Sequence, residues 1–219
     1  LTASSRGAQK LPSFMVAVDL SGKDTSRKPE RARPGGAVPL KDGLVIDHIG
    51  RVDEGLSCWR ILKNVRTTMG WSKYVGSEGV YVSSSNPSQM KGIISMPNFD
   101  FESLSLSQLQ VLASLAPGCT VNCITASAVI GKYRMQVPEL IYNLPNTCCN
   151  NALCVANPQN KQRDVVPVFE RVPFYETSVL PGVKAGDYLF RCMYCQWPHR
   201  YEGIWSDGPD SKAEQGKHG

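Results

Sequence analysis

The sequence has no long apolar run: its longest near the start, Phe14 to Val18, falls far short of the roughly 18 residues a membrane-spanning helix needs. No membrane span is therefore expected. Histidine is scarce, with three in 219 residues, and one of them, His218, sits in a polar tail. That disfavours catalytic clusters built on imidazole. There is no glycine-rich phosphate loop, no Ser/His/Asp set and no metal site with an open position, so an enzyme is not expected. Strong one-sided charge is missing too. The net charge is +5, and residues 1–42 carry eight Lys/Arg against four Asp/Glu, so +4 of it belongs to the N-terminal arm and the rest of the chain is close to neutral.

What is present is an ordinary globular composition, 42% hydrophobic and 20% charged, in a chain long enough to bury a real core. Residues 1–40 read as a basic extended arm of low periodicity, too poor in apolar residues to order itself except against partners. Its Arg27, Lys28, Arg31 and Arg33 would attract acidic protein surfaces or RNA. The chain begins at Leu1 and not at a methionine. An Arg/Ser-bearing start is compatible with the remnant of an organellar presequence, which sets a mitochondrial location as the expectation and the cytoplasm as its alternative.

Residues 41–137 alternate strand and helix signals. Gly43 to Ile49 reads as a strand, and Glu54 to Arg66 as a helix with Leu56, Trp59, Leu62 and Val65 on one face. Gly79 to Ser83 and Gly92 to Met96 read as strands around a Ser/Asn/Pro turn at 84–88. Ser105 to Ala116 is a second helix, stopped by Pro117-Gly118, and Thr120 to Thr125 and Ala128 to Tyr133 are strands. The order predicts an α+β fold, a ferredoxin-like βαββαβ sandwich with two helices on one face of an antiparallel sheet. A connector marked by Pro138 and Pro145 spans 138–146. A small β-rich unit, 147–205, follows, with strands expected at Val165 to Phe174, Tyr188 to Cys195 and Tyr201 to Trp205, and then a polar tail at 206–219.

The eight cysteines are unevenly spaced. Cys149 and Cys154 are separated by four residues, and Cys192 and Cys195 by two. Two close pairs in local turns can present four sulfurs to one point, a tetrahedral thiolate shell for one Zn²⁺ per chain, with Zn–S near about 2.3 Å. Four protein ligands leave no open position, so such a zinc is structural and makes the β-rich unit a zinc domain. A unit this small has little core, and a metal cross-link compensates for that. Reduced buried pairs or a disulfide are the plainer alternatives, Cys148 could stand in for Cys149, and His199 could replace a sulfur. Cys58, Cys119 and Cys123 read as small core residues.

In this order the chain resembles the regulatory chain of aspartate carbamoyltransferase. The resemblance is carried by Gly43-Leu44-Val45-Ile46-Asp47-His48-Ile49, by Ala116-Pro117, and by Thr120-Val121-Asn122 with Ile124. It continues through Val129, Gly131-Lys132, Pro138-Glu139 with Ile141 and Asn143, the Cys149/Cys154 pair, and Phe190 with Cys192, Tyr194 and Cys195, covering 41–205. The resemblance implies a non-catalytic subunit whose ferredoxin-like domain binds a nucleotide and whose zinc domain docks on a catalytic chain, in pyrimidine biosynthesis. It implies a nucleotide-binding set of Asp47, His48, Asn122 and Lys132, with Asp47 at ribose or base, Asn122 in the pocket and Lys132 at phosphate. Asp47 and His48 could equally be a capped strand end and a surface histidine. Ser95 stands where the family has a second phosphate lysine, with Lys91 nearby, and Ser127 where it has an aromatic residue. The segment between the cysteine pairs is longer than the family's. The expectation is a structural docking subunit with nucleotide binding weakened or lost. Two alternatives are a functional nucleotide-binding regulatory chain and a protein subunit of a mitochondrial ribonucleoprotein such as the organellar ribosome.

Overall fold

The computed structural model describes residues 11–25, 40–50, 58–74, 76–82, 89–160, 164–173, 180 and 187–206. Among them are ten strands and two α-helices: β1 (Met15–Ala17), β2 (Gly43–Ile49), α1 (Cys58–Thr68), β3 (Ser77–Val82), β4 (Met90–Pro97), α2 (Leu106–Leu115), β5 (Thr120–Thr125), β6 (Ala128–Met135), β7 (Leu140–Tyr142), β8 (Val168–Val172), β9 (Leu189–Cys192) and β10 (Pro198–Arg200). No described helix is long and apolar enough to cross a membrane.

The first sheet has six strands in the order β1-β6-β5-β2-β4-β3, every neighbouring pair antiparallel. Alternation decides its two faces. Leu44 and Ile46 of β2, Ile94 and Met96 of β4 and Val121 of β5 point to one side, where they share a core with Leu62 and Val65 of α1 and Leu109 and Leu112 of α2. The opposite face has a smaller apolar cluster of Leu40, Val45 and Ile124, and beside it the polar residues Asp47, Asn122 and Lys132. β2 begins at Gly43 (φ 136°), where an added Cβ would collide with the Met96 carbonyl, so only glycine lets β4 pair this closely.

The α2 boundaries follow from its caps. The Ser105 hydroxyl accepts from the Gln108 amide (3.2 Å), and the Gln108 side chain accepts from the Ser105 amide (2.9 Å), a reciprocal capping box. In α1 the buried face is Cys58, Ile61, Leu62 and Val65. Trp59, expected on that face, is 55% exposed, because it lies one step off the 58/61/62/65 stripe. The expected start of α1 at Glu54, the 84–88 turn, the basic residues Arg27, Lys28, Arg31 and Arg33, and the tail beyond Ser206 all lie outside the described residues.

Three expectations are corrected. Part of the arm folds onto the body: β1 pairs with β6, Met15 against Met135, and Phe14 and Met15 are buried in the main core. The 138–146 stretch is more than a connector, since β7 pairs with β8 and Ile141 is fully buried. Tyr201 to Trp205 is not a strand. The strand there is Pro198–Arg200, and Glu202–Ile204 closes into a 3-10 turn that buries Gly203 and Ile204 beneath it.

The second sheet runs β10-β9-β8-β7, again antiparallel. It is not insulated from the first. Phe169, Phe190, Cys149, Cys154, Cys192 and Trp205 belong to the same continuous core as Leu112 and Ala113 of α2. The buried Tyr201 hydroxyl donates to the Ser114 carbonyl (2.6 Å), and the Gln110 amide group donates to the Leu140 carbonyl (3.1 Å). The described residues form a mixed α/β arrangement of antiparallel sheets with few helices and a cysteine cluster.

Candidate metal centre and anion pocket

Cys149, Cys154, Cys192 and Cys195 converge: their sulfurs all lie within 4.8 Å of one another, and three of the four residues are buried. The Cys149 and Cys195 sulfurs are 3.6 Å apart, and those of Cys154 and Cys192 are 3.7 Å apart. A regular tetrahedron with Zn–S of about 2.3 Å has sulfur–sulfur edges of about 3.8 Å, so the spacing suits zinc. Local backbone builds each pair. The Cys154 amide donates to the Asn151 carbonyl (3.0 Å), and the Ala156 amide donates to the Cys154 sulfur (3.4 Å). In the other turn the Gln196 amide donates to the Cys192 carbonyl (2.9 Å), with Gln196 at φ 61°, and the Cys192 amide to the Trp197 carbonyl (3.0 Å).

The four sulfurs cannot all ionise by themselves. The Cys149 thiol shares its proton with Cys192, which lowers the Cys192 pKa to about 5, helped by the Cys195 and Tyr194 amides and opposed by burial. Cys149 is correspondingly driven up, first by that hydrogen bond and then by burial, and burial lifts Cys154 to about 11. A divalent cation would let all four become thiolates. The donor set is all sulfur, with no water position, which is the chemistry of a structural site.

His199 stands outside the tetrahedron. It is 3% exposed, packs edge-on against Phe169, and holds Nε2 3.4 Å from the Cys149 sulfur. Burial lowers its pKa to about 4, so it faces Cys149 as a neutral ring. Cys148 is not in the cluster. Its amide donates to the Ile204 carbonyl (2.9 Å), and its sulfur lies 3.9 Å from the Asn150 side-chain oxygen.

The second constellation sits on the face of the first sheet opposite α1 and α2. β2 is irregular between Ile46 and Ile49, and His48 there has φ 65°. The Asp47 carboxylate accepts from the His48 amide (2.7 Å) and pairs with the Lys91 ammonium at 3.0 and 3.1 Å. The His48 ring lies 3.5 Å from both Asp47 and Thr120. Asn122 is buried and spends its amide group on the Val45 carbonyl (3.0 Å). It stands opposite Lys132 on β6. Burial pushes the Lys132 pKa down, Asp47 pulls it up, and Lys23, Arg134 and Lys91 push it down further. The four residues expected here are thus gathered on one face. Ser95 is fully buried with an unpartnered hydroxyl, and Ser127 lies in the β5–β6 turn, its amide donating to the Lys41 carbonyl (2.7 Å). Lys91 supplies the cation beside Asp47 instead. Its proximity in the sequence to Ser95 was the only signal. Nothing in the sequence linked Lys23 to this face.

Residues 37–136 match the family described as PyrI: aspartate carbamoyltransferase regulatory chain, allosteric domain. Among curated proteins, the chain is 31% identical over 173 residues to Protein PyrBI of Treponema denticola, which covers 78% of this chain and 29% of that protein. It is 30% identical over 151 residues to the aspartate carbamoyltransferase regulatory chain of Caldivirga maquilingensis, covering 68% of this chain and 83% of the relative. With the regulatory chain of Pyrococcus horikoshii the identity is 29% over 157 residues, covering 72% and 87%. The chain therefore spans less than a third of PyrBI and most of the regulatory chains it matches.

Proposed function

Because the chain belongs to the aspartate carbamoyltransferase regulatory chain family, we propose that it is a non-catalytic, zinc-holding docking subunit of a larger assembly. The observation that carries this reading is the closure of four cysteine sulfurs to within 4.8 Å in the unit that follows the matched domain. Cys149, Cys154, Cys192 and Cys195 would hold one structural zinc, whose chemistry is to neutralise four thiolates and cross-link two turns of a thin sheet. The first unit is read as ferredoxin-like, 41–137. The order β5-β2-β4-β3, with α1 and α2 on one face, supports that reading. The docking partner is a carbamoyltransferase catalytic chain, as the names of the relatives suggest.

A second reading, that the first unit also takes a nucleotide, is favoured by the Asp47 face. Lys91 and Lys132 flank Asp47 there, so the cation missing at Ser95 is replaced from another position on the same strand.

The test combines metal analysis with reconstitution. The full chain should contain about one zinc and should form a complex with a carbamoyltransferase catalytic chain that dissociates when the zinc is withdrawn by a mercurial. A folded chain without metal would overturn the zinc site. A zinc-loaded chain that forms no complex would overturn the docking role.

A further inference from the structure

After β1 the chain makes a short closed excursion that is pinned to β6 at both ends. The Val18 amide donates to the Lys132 carbonyl (2.8 Å), and the Val129 amide donates to the Thr25 carbonyl (3.1 Å). Between the pins the turn is held from within. The Asp19 carboxylate accepts from the Ser21 amide (2.9 Å) and hydroxyl (2.6 Å), and the Lys23 amide donates to the Leu20 carbonyl (3.1 Å). The Lys23 ammonium donates to the Asp19 carbonyl (2.8 Å), so its side chain is tethered and not freely sweeping through solvent.

We propose that residues 18–25 border the Asp47 face and that Lys23 is a third cation for the polyphosphate of a bound nucleotide, beside Lys132 and Lys91. The inference rests on the nucleotide reading above and adds to it a segment that precedes the matched residues 37–136. The charge balance argues for it. Lys91 is paired with Asp47, the Asp19 carboxylate accepts from Ser21, and Asp24 is the other acid of the turn. Among the described residues, neither Lys132 nor Arg134 has a carboxylate within ion-pair distance. Lys23, Arg134 and Lys91 all repel the Lys132 ammonium. Such a cluster of cations in a partly desolvated position is relieved by a polyanion. Ser95, enclosed and without a partner for its hydroxyl, cannot supply that charge. Lys23 comes from a different element than Lys91 and Lys132, so it brings a cation to Lys132 from outside the two strands, in a turn that also carries Asp19 and Asp24. A single phosphate can be satisfied by Lys132, and only a longer chain of phosphates needs Lys23.

The experiment is calorimetric titration of the full zinc-loaded chain with ATP, AMP and inorganic tripolyphosphate. Lys23→Ala should weaken ATP and tripolyphosphate about tenfold, the order expected for one lost charge-assisted phosphate contact. It should change AMP by less than about twofold, and Lys23→Arg should bind all three like the wild type. Lys132→Ala should weaken all three probes. If Lys23→Ala leaves ATP and tripolyphosphate within about twofold while Lys132→Ala loses them, the turn is not part of the pocket and the nucleotide reading survives. Equal losses of AMP and ATP in Lys23→Ala would also overturn the role in reading phosphate length. A wild-type chain that binds none of the probes would overturn the nucleotide reading itself.

Discussion

Cys148 and Cys149 are adjacent, and the backbone alone decides which of them joins the sulfur cluster. The Cys149 amide donates to the Ala156 carbonyl (3.3 Å) and its sulfur faces Cys195, while Cys148 turns towards the 3-10 segment at Ile204. Cys192→Ser should therefore remove the metal and unfold the second sheet, because structural zinc contributes on the order of 10 kcal/mol or more of apparent binding energy. Cys148→Ser should keep about one zinc per chain. Metal content and protease resistance of the two variants decide the matter, and the reverse result would move the ligand by one residue. His199 gives a finer test. Its Nε2 lies 3.4 Å from the Cys149 sulfur and its ring packs edge-on against Phe169, so with zinc bound it would orient a ligand without being one. His199→Ala should weaken zinc binding by about 10- to 100-fold, as second-sphere losses do, and leave the site able to refill at high zinc. Complete loss of binding would instead make His199 a ligand.

At the scale of elements, β1 is where the sequence misled. A three-residue strand leaves no alternation to read, and Phe14 and Met15 look like an isolated apolar patch in a basic arm until β6 is placed beside them. Phe14→Ala should cost about 3–5 kcal/mol, the usual range for emptying a buried phenylalanine site. Urea unfolding of the full chain measures it, and a loss under about 1 kcal/mol would return the segment to a loosely attached arm. β7 was hidden for the same reason, being three residues set between two prolines. By contrast β2 and β5 were legible to the residue, because Leu44-Val45-Ile46 is a short apolar run opened by Gly43, and Val121 and Cys123 fall on either side of Asn122 in a run bounded by Thr120 and Thr125. The α2 helix was legible from its start at Ser105 and its stop at Pro117-Gly118, while the reciprocal Gln108 cap came from the structure. The cysteine tetrahedron could be read from spacing, since both pairs are local. Lys91 could not be assigned, because its approach to Asp47 depends on cross-strand register and on the irregularity after Ile46, and neither leaves a mark in local sequence.

For the whole molecule, the decisive fact is that one core runs through both sheets. Tyr201 lies in the second unit, is 3% exposed, stacks edgewise on Trp205, and donates its hydroxyl to Ser114 at the end of α2. Burial raises its pKa well above the usual phenol value, so the hydroxyl keeps its proton and remains a donor across the working pH range. A change at the cysteine cluster thus has a packed route to the helix layer beneath the sheet that carries the Asp47 face. Removing zinc should loosen more than residues 147–205. Amide exchange in α2, around Leu112 to Leu115, should quicken when the metal is stripped from the full chain, because the Ile204, Tyr201 and Trp205 side of that core then loses its support. Tyr201→Phe keeps the ring and removes the one hydrogen bond, and should cost about 1–3 kcal/mol, because the buried Ser114 carbonyl loses that donor. It should also reduce the α2 response to metal removal without altering zinc content. If α2 exchange is unchanged when zinc is withdrawn, the two units are energetically independent despite their shared core, and docking through the second could not be felt by the first.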